Sequence, residues 1–229
     1  MYIIENIKKI YQKKAVLNIK HLTVDDYEHL GIMGVNGSGK STLGEIILGT
    51  KKPTEGTLKI DNKDLRKNAV FQETSFDNEI NLKQIANFYN ELFKASANID
   101  ELFQIFELDD FKKAKYAKLS GGQKQKFKLL ISFINKPNLL LLDELTTSLD
   151  YQWRKKIINL IKEYLNKNKV TLILVSHDVS EVASLCKRVV YLEKGNIVKD
   201  IALGSDYKNN LEILEKENDY ETVDKTPNL

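Results

Sequence analysis

The sequence predicts an α/β fold with a mostly parallel core sheet covered on both faces, and three observations lead there. Short, almost wholly apolar runs such as Leu139 to Leu142 and Leu172 to Val175 read as strands buried on both sides. Helical patterns alternate with them, as expected of βαβ units. One stretch breaks the alternation: from about residue 74 to 118 the pattern is helical, with Leu82, Ile85, Tyr89 and Leu92 expected on one face and Leu102, Ile105 and Phe106 on another. Seven of the nine phenylalanines lie between Phe71 and Phe111, so this insert is expected to carry an aromatic cluster of its own.

In chain order, residues 2 to 7, 16 to 21 and 57 to 60 read as short strands, with a turn at Lys52-Pro53-Thr54-Glu55-Gly56. His29 to Met33 reads as a buried strand and Leu43 to Leu48 as a helix. After Ser120 a helix runs to Asn135 and is stopped by Pro137. The strand Leu139 to Asp143 follows, then a helix from Tyr151, a strand from Val170 to Ser176, a further helix, and a hairpin turning at Lys194-Gly195-Asn196.

Length and charge bound the function. The chain has 229 residues, 42% of them hydrophobic, which is ample for a core. No apolar run approaches the roughly 18 to 20 residues that span a bilayer. The start, Met1-Tyr2-Ile3-Ile4, meets Glu5 at once and lacks the pattern of a secretory signal, so a cytoplasmic location is expected. The lone Cys186 reads as a small buried residue. A net charge of +3 reads as a lysine-rich solvated face, and no nucleic-acid partner is expected. From Asp206 to Leu229 seven acidic residues stand against three basic ones, which marks a short acidic tail beyond a main domain of residues 1–205.

Chemistry enters at Gly34-Val35-Asn36-Gly37-Ser38-Gly39-Lys40-Ser41-Thr42. Between a buried strand and a helix, the glycines let successive backbone N–H groups turn inward on a phosphate chain. Lys40 adds a positive charge, Ser41 offers a hydroxyl to Mg²⁺, and the helix points its positive end at the phosphates. Asn36, Gly37, Ser38, Gly39, Lys40, Ser41 and Thr42 are therefore candidate nucleotide contacts. A second glycine-rich helix start follows at Leu119-Ser120-Gly121-Gly122-Gln123. Asp143 closes a buried strand, where open α/β sheets bind ligands, and suits Mg²⁺ held through water. Glu144 stands one step nearer solvent, placed to accept a proton from an attacking water. His177 follows the strand that ends at Ser176.

Together these motifs resemble the nucleotide-binding subunit of an ATP-binding cassette (ABC) transporter, over about Tyr2 to Lys199. The resemblance rests on Gly34 to Thr42, on Gln72 in Val70-Phe71-Gln72, on the signature Leu119 to Gln123, on Leu139 to Glu144, on Ser148-Leu149-Asp150 and on Ser176-His177-Asp178. It implies a P-loop NTPase with an N-terminal antiparallel β subdomain and an inserted α-helical subdomain at about 73–118. It implies ATP and Mg²⁺ as cofactors, with Glu144, His177 and Gln72 catalytic and Ser41, Gln72 and Asp143 around the metal. Ser120, Gly121, Gly122, Gln123 and Asp150 then close on the ATP of a second nucleotide-binding domain, in a homodimer or heterodimer, and Tyr11 is placed to stack on adenine. A transmembrane permease subunit is the implied partner, with its cytoplasmic helix received between residues 72 and 118, and the protein sits on the inner face of the membrane. Leu145 stands where the family has proline, so a looser loop is expected there.

A soluble relative serving iron–sulfur assembly is the alternative. A nucleotide sensor without turnover is disfavoured by Glu144 and His177. The short tail, without room for the regulatory domain of many sugar importers, leans the reading to export of a drug or peptide.

Overall fold

The computed structural model describes residues 1–61, 65–71, 73–146 and 148–223, with side chains to residue 217. Strands β1 (Tyr2–Tyr11), β2 (Lys14–Val24) and β4 (Glu55–Ile60) form an antiparallel sheet in the order β2-β1-β4. Alternation builds it: Tyr2, Ile4 and Ile7 of β1 and Leu17, Ile19, Leu22 and Val24 of β2 all turn inward and are buried.

The second sheet contains β3 (His29–Gly34), β5 (Lys67–Val70), β6 (Leu139–Asp143), β7 (Thr171–Val175), β8 (Arg188–Glu193) and β9 (Asn196–Ala202), in the order β5-β6-β7-β3-β8-β9. It is parallel from β5 to β8, and only β9 runs antiparallel. Every residue of β6 and β7 is buried, as their unbroken apolar runs require. The register places Asp143 opposite Val175 and Gly34 opposite Leu192, so the carboxyl ends of β6, β7 and β3 open on one edge.

Helices α1 (Lys40–Leu48), α2 (Leu82–Leu92), α3 (Ile99–Ile105), α4 (Gly121–Phe133), α5 (Tyr151–Lys167), α6 (Val179–Leu185) and α7 (Tyr207–Val223) complete the fold. The insert does not keep a core to itself. Phe103 of α3 packs on Phe127 of α4, Phe106 packs on Phe133, and both pairs join the cluster that contains Leu140 and Leu142 of β6. The expected helical faces shift accordingly: Leu82 and Ile85 are buried, but Leu92 is exposed, and α3 buries Ile99 and Phe103 rather than Ile105. The Phe103 ring has a larger apolar area to hide than Ile105, and α4 supplies a matching aromatic surface.

The residues expected as an acidic tail begin as a docked helix. In α7 Leu214 is fully buried, and the Asn210 amide donates to the Ala183 and Gly204 carbonyls. Leu214, with partly buried Leu211 and Ile213 beside it, and the Asn210 clip seat an otherwise acidic helix on α6. Residues 224–229 lie outside the described part.

Candidate nucleotide site

The loop between β3 and α1 is shaped by glycine. At Gly39 φ is 103°, and a Cβ there would lie 2.6 Å from Leu17 Cδ2 and 2.8 Å from the Val16 carbonyl, so any side chain collides with β2. At Gly37, with φ of 78°, a Cβ would meet nothing within 4 Å; that position faces open space. The loop is fastened from behind: the Ser38 carbonyl accepts from the N–H of Gly195 at 3.0 Å, in the β8–β9 turn.

A cavity of about 330 Å³ lies in front of the loop, lined by Val16, Asn36, Gly37, Gly39, Lys40, Ser41, Thr42, Asp143 and Glu144. The Lys40 ammonium donates to the carbonyls of Gly34, at 2.8 Å, and Val35, at 3.0 Å. Those bonds hold the charge at the cavity wall until a stronger anionic acceptor takes it. The N-terminus of α1, a nine-residue helix with no acidic residue in its first turn, adds its partial positive charge.

Across the cavity, burial pushes the Asp143 carboxyl above its usual range; a hydrogen bond with Ser41 opposes that, and the charge of Glu144 adds to it. Hydroxyl and carboxylate together form a hard-oxygen pair suited to Mg²⁺, which takes its remaining ligands from phosphates and water. Among the described residues no cluster of three His, Cys, Asp or Glu could hold a metal unaided. Glu144 leaves the strand in a left-handed turn with φ of 55°, and its N–H donates to the Val175 carbonyl at 2.9 Å.

Glu144 lines two further cavities. One, of about 280 Å³, also touches exposed His177. The other, of about 310 Å³, touches Gly121, Gln125 and Ser148. Ser120 is exposed and caps α4: its Oγ accepts from the Gln123 N–H at 3.3 Å, while the Gln123 side chain accepts from the Ser120 N–H. Gly121 and Gly122 lie against Ser148, where a Cβ on Gly122 would come within 3.2 Å of the Ser148 carbonyl. Asp150 is exposed and caps α5 through the Trp153 N–H at 2.9 Å. Neither Ser120 nor Asp150 lines the cavity before Lys40.

The family profile described as "ABC transporter" matches residues 17–147, more than half of the chain. The chain belongs to the ABC transporter family. It is an ATPase cassette of that family. At 32% identity it matches the spermidine/putrescine import ATP-binding protein PotA of Haemophilus ducreyi, over 86% of this chain and 57% of that protein. The chain thus spans little more than half the length of these polyamine-import relatives. It is 35% identical to the nickel import system ATP-binding protein NikE of Staphylococcus aureus, covering 84% of this chain and 86% of that one. Among solved structures, the dimeric ABC transporter cassette MJ0796 superposes with a TM-score of 0.80 at 28% identity, over 90% of this chain and all of that one. The same cassette is also known as a post-hydrolysis dimer with ADP and Pi, again at a TM-score of 0.80.

Tyr11, expected to stack on adenine, lies outside the phosphate cavity, its ring 40% exposed with the ammonium groups of Lys9 and Lys51 5.1 and 5.5 Å from its centre. Two expectations change within this ABC cassette. Leu145 does not loosen its loop; it is fully buried, and its carbonyl accepts from Gln125. The lean to export finds no support, because compactness is shared with nickel import proteins of nearly this chain's extent. Gln72 lies outside the described residues.

Sequence reading missed two buried polar residues beside Glu144. Gln125 sits four residues before Leu129 and eight before Phe133, in the apolar stripe of α4, and Glu181 sits one turn before Leu185 in α6. A polar side chain at such a spacing signals a dedicated partner, since buried polar groups are hydrogen-bonded.

Proposed function

We propose that this chain is the ATP-hydrolysing subunit of a membrane transport system, in which two nucleotide-binding domains close around ATP and drive a permease. One observation carries the reading. Lys40, Ser41, Asp143 and Glu144 border a single cavity at the carboxyl edge of the parallel strands. Lys40 and the loop N–H groups bind the β- and γ-phosphates, and Ser41 and Asp143 hold Mg²⁺. The ion, when bound, neutralises phosphate charge.

Glu144 accepts the proton of the attacking water. His177, across the adjoining cavity, contacts the γ-phosphate or that water, and Gln72 completes the metal and water shell. The exposed Ser120 with Gly121, Gly122 and Gln123, together with Asp150, meets the ATP of a second cassette, a crosswise arrangement supported by their absence from the cavity before Lys40. Tyr11 retains a role only as an adenine platform at the margin of the site. Residues 73–118 face the permease. No described helix is long and apolar enough to cross a membrane, and the pathway is assigned to the permease. Of the two directions, import has the support, from the polyamine and nickel import relatives.

The test is Glu144→Gln. ATP binding should persist and dimers accumulate while turnover falls by about 10²- to 10⁴-fold. Hydrolysis at the parent rate would refute Glu144 as the base.

A further inference from the structure

Glu181 is 2% exposed, yet neither the phosphate loop nor a surface ion pair accounts for it. One carboxylate oxygen accepts from the Thr146 hydroxyl. The other accepts from the Ser176 hydroxyl at 2.7 Å. Thr146 stands two residues after Glu144, and Ser176 immediately precedes His177. Both are buried, at 3% and 2% exposure. The two residues leave the sheet side by side, since Asp143 and Val175 pair in the register of β6 and β7. A single side chain from α6 thus grips the two segments that carry the groups flanking one cavity.

The direction of the Ser176 bond follows from its other partner. Ser176 Oγ already accepts from the Asp178 N–H at 3.0 Å, so its proton points at Glu181. Asp178 is held in turn by the Arg154 guanidinium at 2.8 Å and caps α6. Burying a carboxylate is costly, and an apolar residue of similar volume would fill this space at lower cost. It could not orient two hydroxyls. From this geometry we infer that Glu181 is a positioning residue for ATP hydrolysis, clamping the loop after Glu144 to the strand end before His177 so that both keep one fixed spacing. The inference rests on the reading of Glu144 as base and goes beyond it, because Glu181 bonds the segments that carry Glu144 and His177 and does not border the cavity before Lys40.

Three variants of the whole chain test it, with kcat, KM and ATP affinity measured for each. Glu181→Ala should lower kcat about tenfold or more with KM within about twofold, because losing a buried hydrogen-bond partner is worth about that factor. Glu181→Gln keeps the shape, accepts from Ser176 and donates to Thr146, and should restore kcat to within about threefold of the parent. Thr146→Val keeps the volume and removes one arm of the clamp. It should lower kcat severalfold at constant KM, and it decides the matter should Glu181→Ala fail to fold. Parent-like kcat in Thr146→Val overturns the clamp, as does a rise in KM matching the fall in kcat, which marks general loss of structure. Glu144→Gln is run alongside: if it hydrolyses at the parent rate the base assignment fails, whereas if it is slow while Thr146→Val is unaffected, only the clamp fails.

Discussion

The side-chain amide of Gln125 donates to the carbonyl of Leu145 at 2.7 Å, and more weakly to that of Glu144 at 3.4 Å. Gln125 belongs to the helix begun by the signature, and Leu145 to the loop that carries the proposed base. One buried side chain thereby ties that helix to that loop. The bond also explains why the loop is held without a proline: burial of the Leu145 side chain and capture of its carbonyl restrict the backbone that a ring would otherwise fix.

Removing that donor should therefore cost both stability and rate. Gln125→Leu fills the same space but leaves a buried carbonyl unpaired, a loss of about 1 to 3 kcal/mol. Urea unfolding should show that loss, and ATP turnover should fall while nucleotide affinity holds. Unchanged turnover would mean that Leu145 burial alone sets the position of Glu144.

Acid should weaken the fold through His29. Burial first, then the nearby Lys187, lowers the pKa of this imidazole from 6.5, while the Leu185 and Val170 backbone and Glu28 pull the other way. The unfolded chain then takes up a proton that the folded one resists, so stability falls as pH drops through about 6.5 and levels off only below the folded value. His29→Gln does not titrate. Thermal unfolding at pH 7.5 and 5.5 should show a larger drop in Tm for the parent than for the variant.

How much of this was legible in the sequence depends on the range of the interaction. The phosphate loop was legible because a local backbone requirement, glycine at Gly37 and Gly39, writes itself into adjacent letters. The buried strands were legible because two-sided burial demands unbroken apolar runs. The insert's faces were misread at Leu92 and Ile105, since which side of a short helix turns inward is decided by α4, far along the chain, through Phe127 and Phe133. A short helix starting around Leu211 and Leu214 was legible, but its docking was not, because its composition is acidic and its seat is made by Leu214, flanked by Leu211 and Ile213, and by the Asn210 amide. Gln125 and Glu181 were overlooked because a polar letter reads as surface until its helical neighbours are counted.

The single tryptophan reports on the joint between insert and core. Trp153 Nε1 donates to Glu107 at 2.6 Å, just past the end of α3, and the Lys126 ammonium of α4 stands 3.8 Å from the centre of its ring. The end of the insert, α4 and α5 thus meet at one indole. A desolvated cation over tryptophan contributes about 0.5 to 2 kcal/mol, and the Lys126 side chain is only 15% exposed. Lys126→Met keeps the stem but not the charge, so it should destabilise the protein by about that amount in urea unfolding. Its tryptophan emission should also differ from the parent before denaturant is added. Glu107→Ala should shift the emission as well, through the lost indole bond. Parent-like spectra and stability in both variants would mean that Trp153 is held by its apolar packing alone.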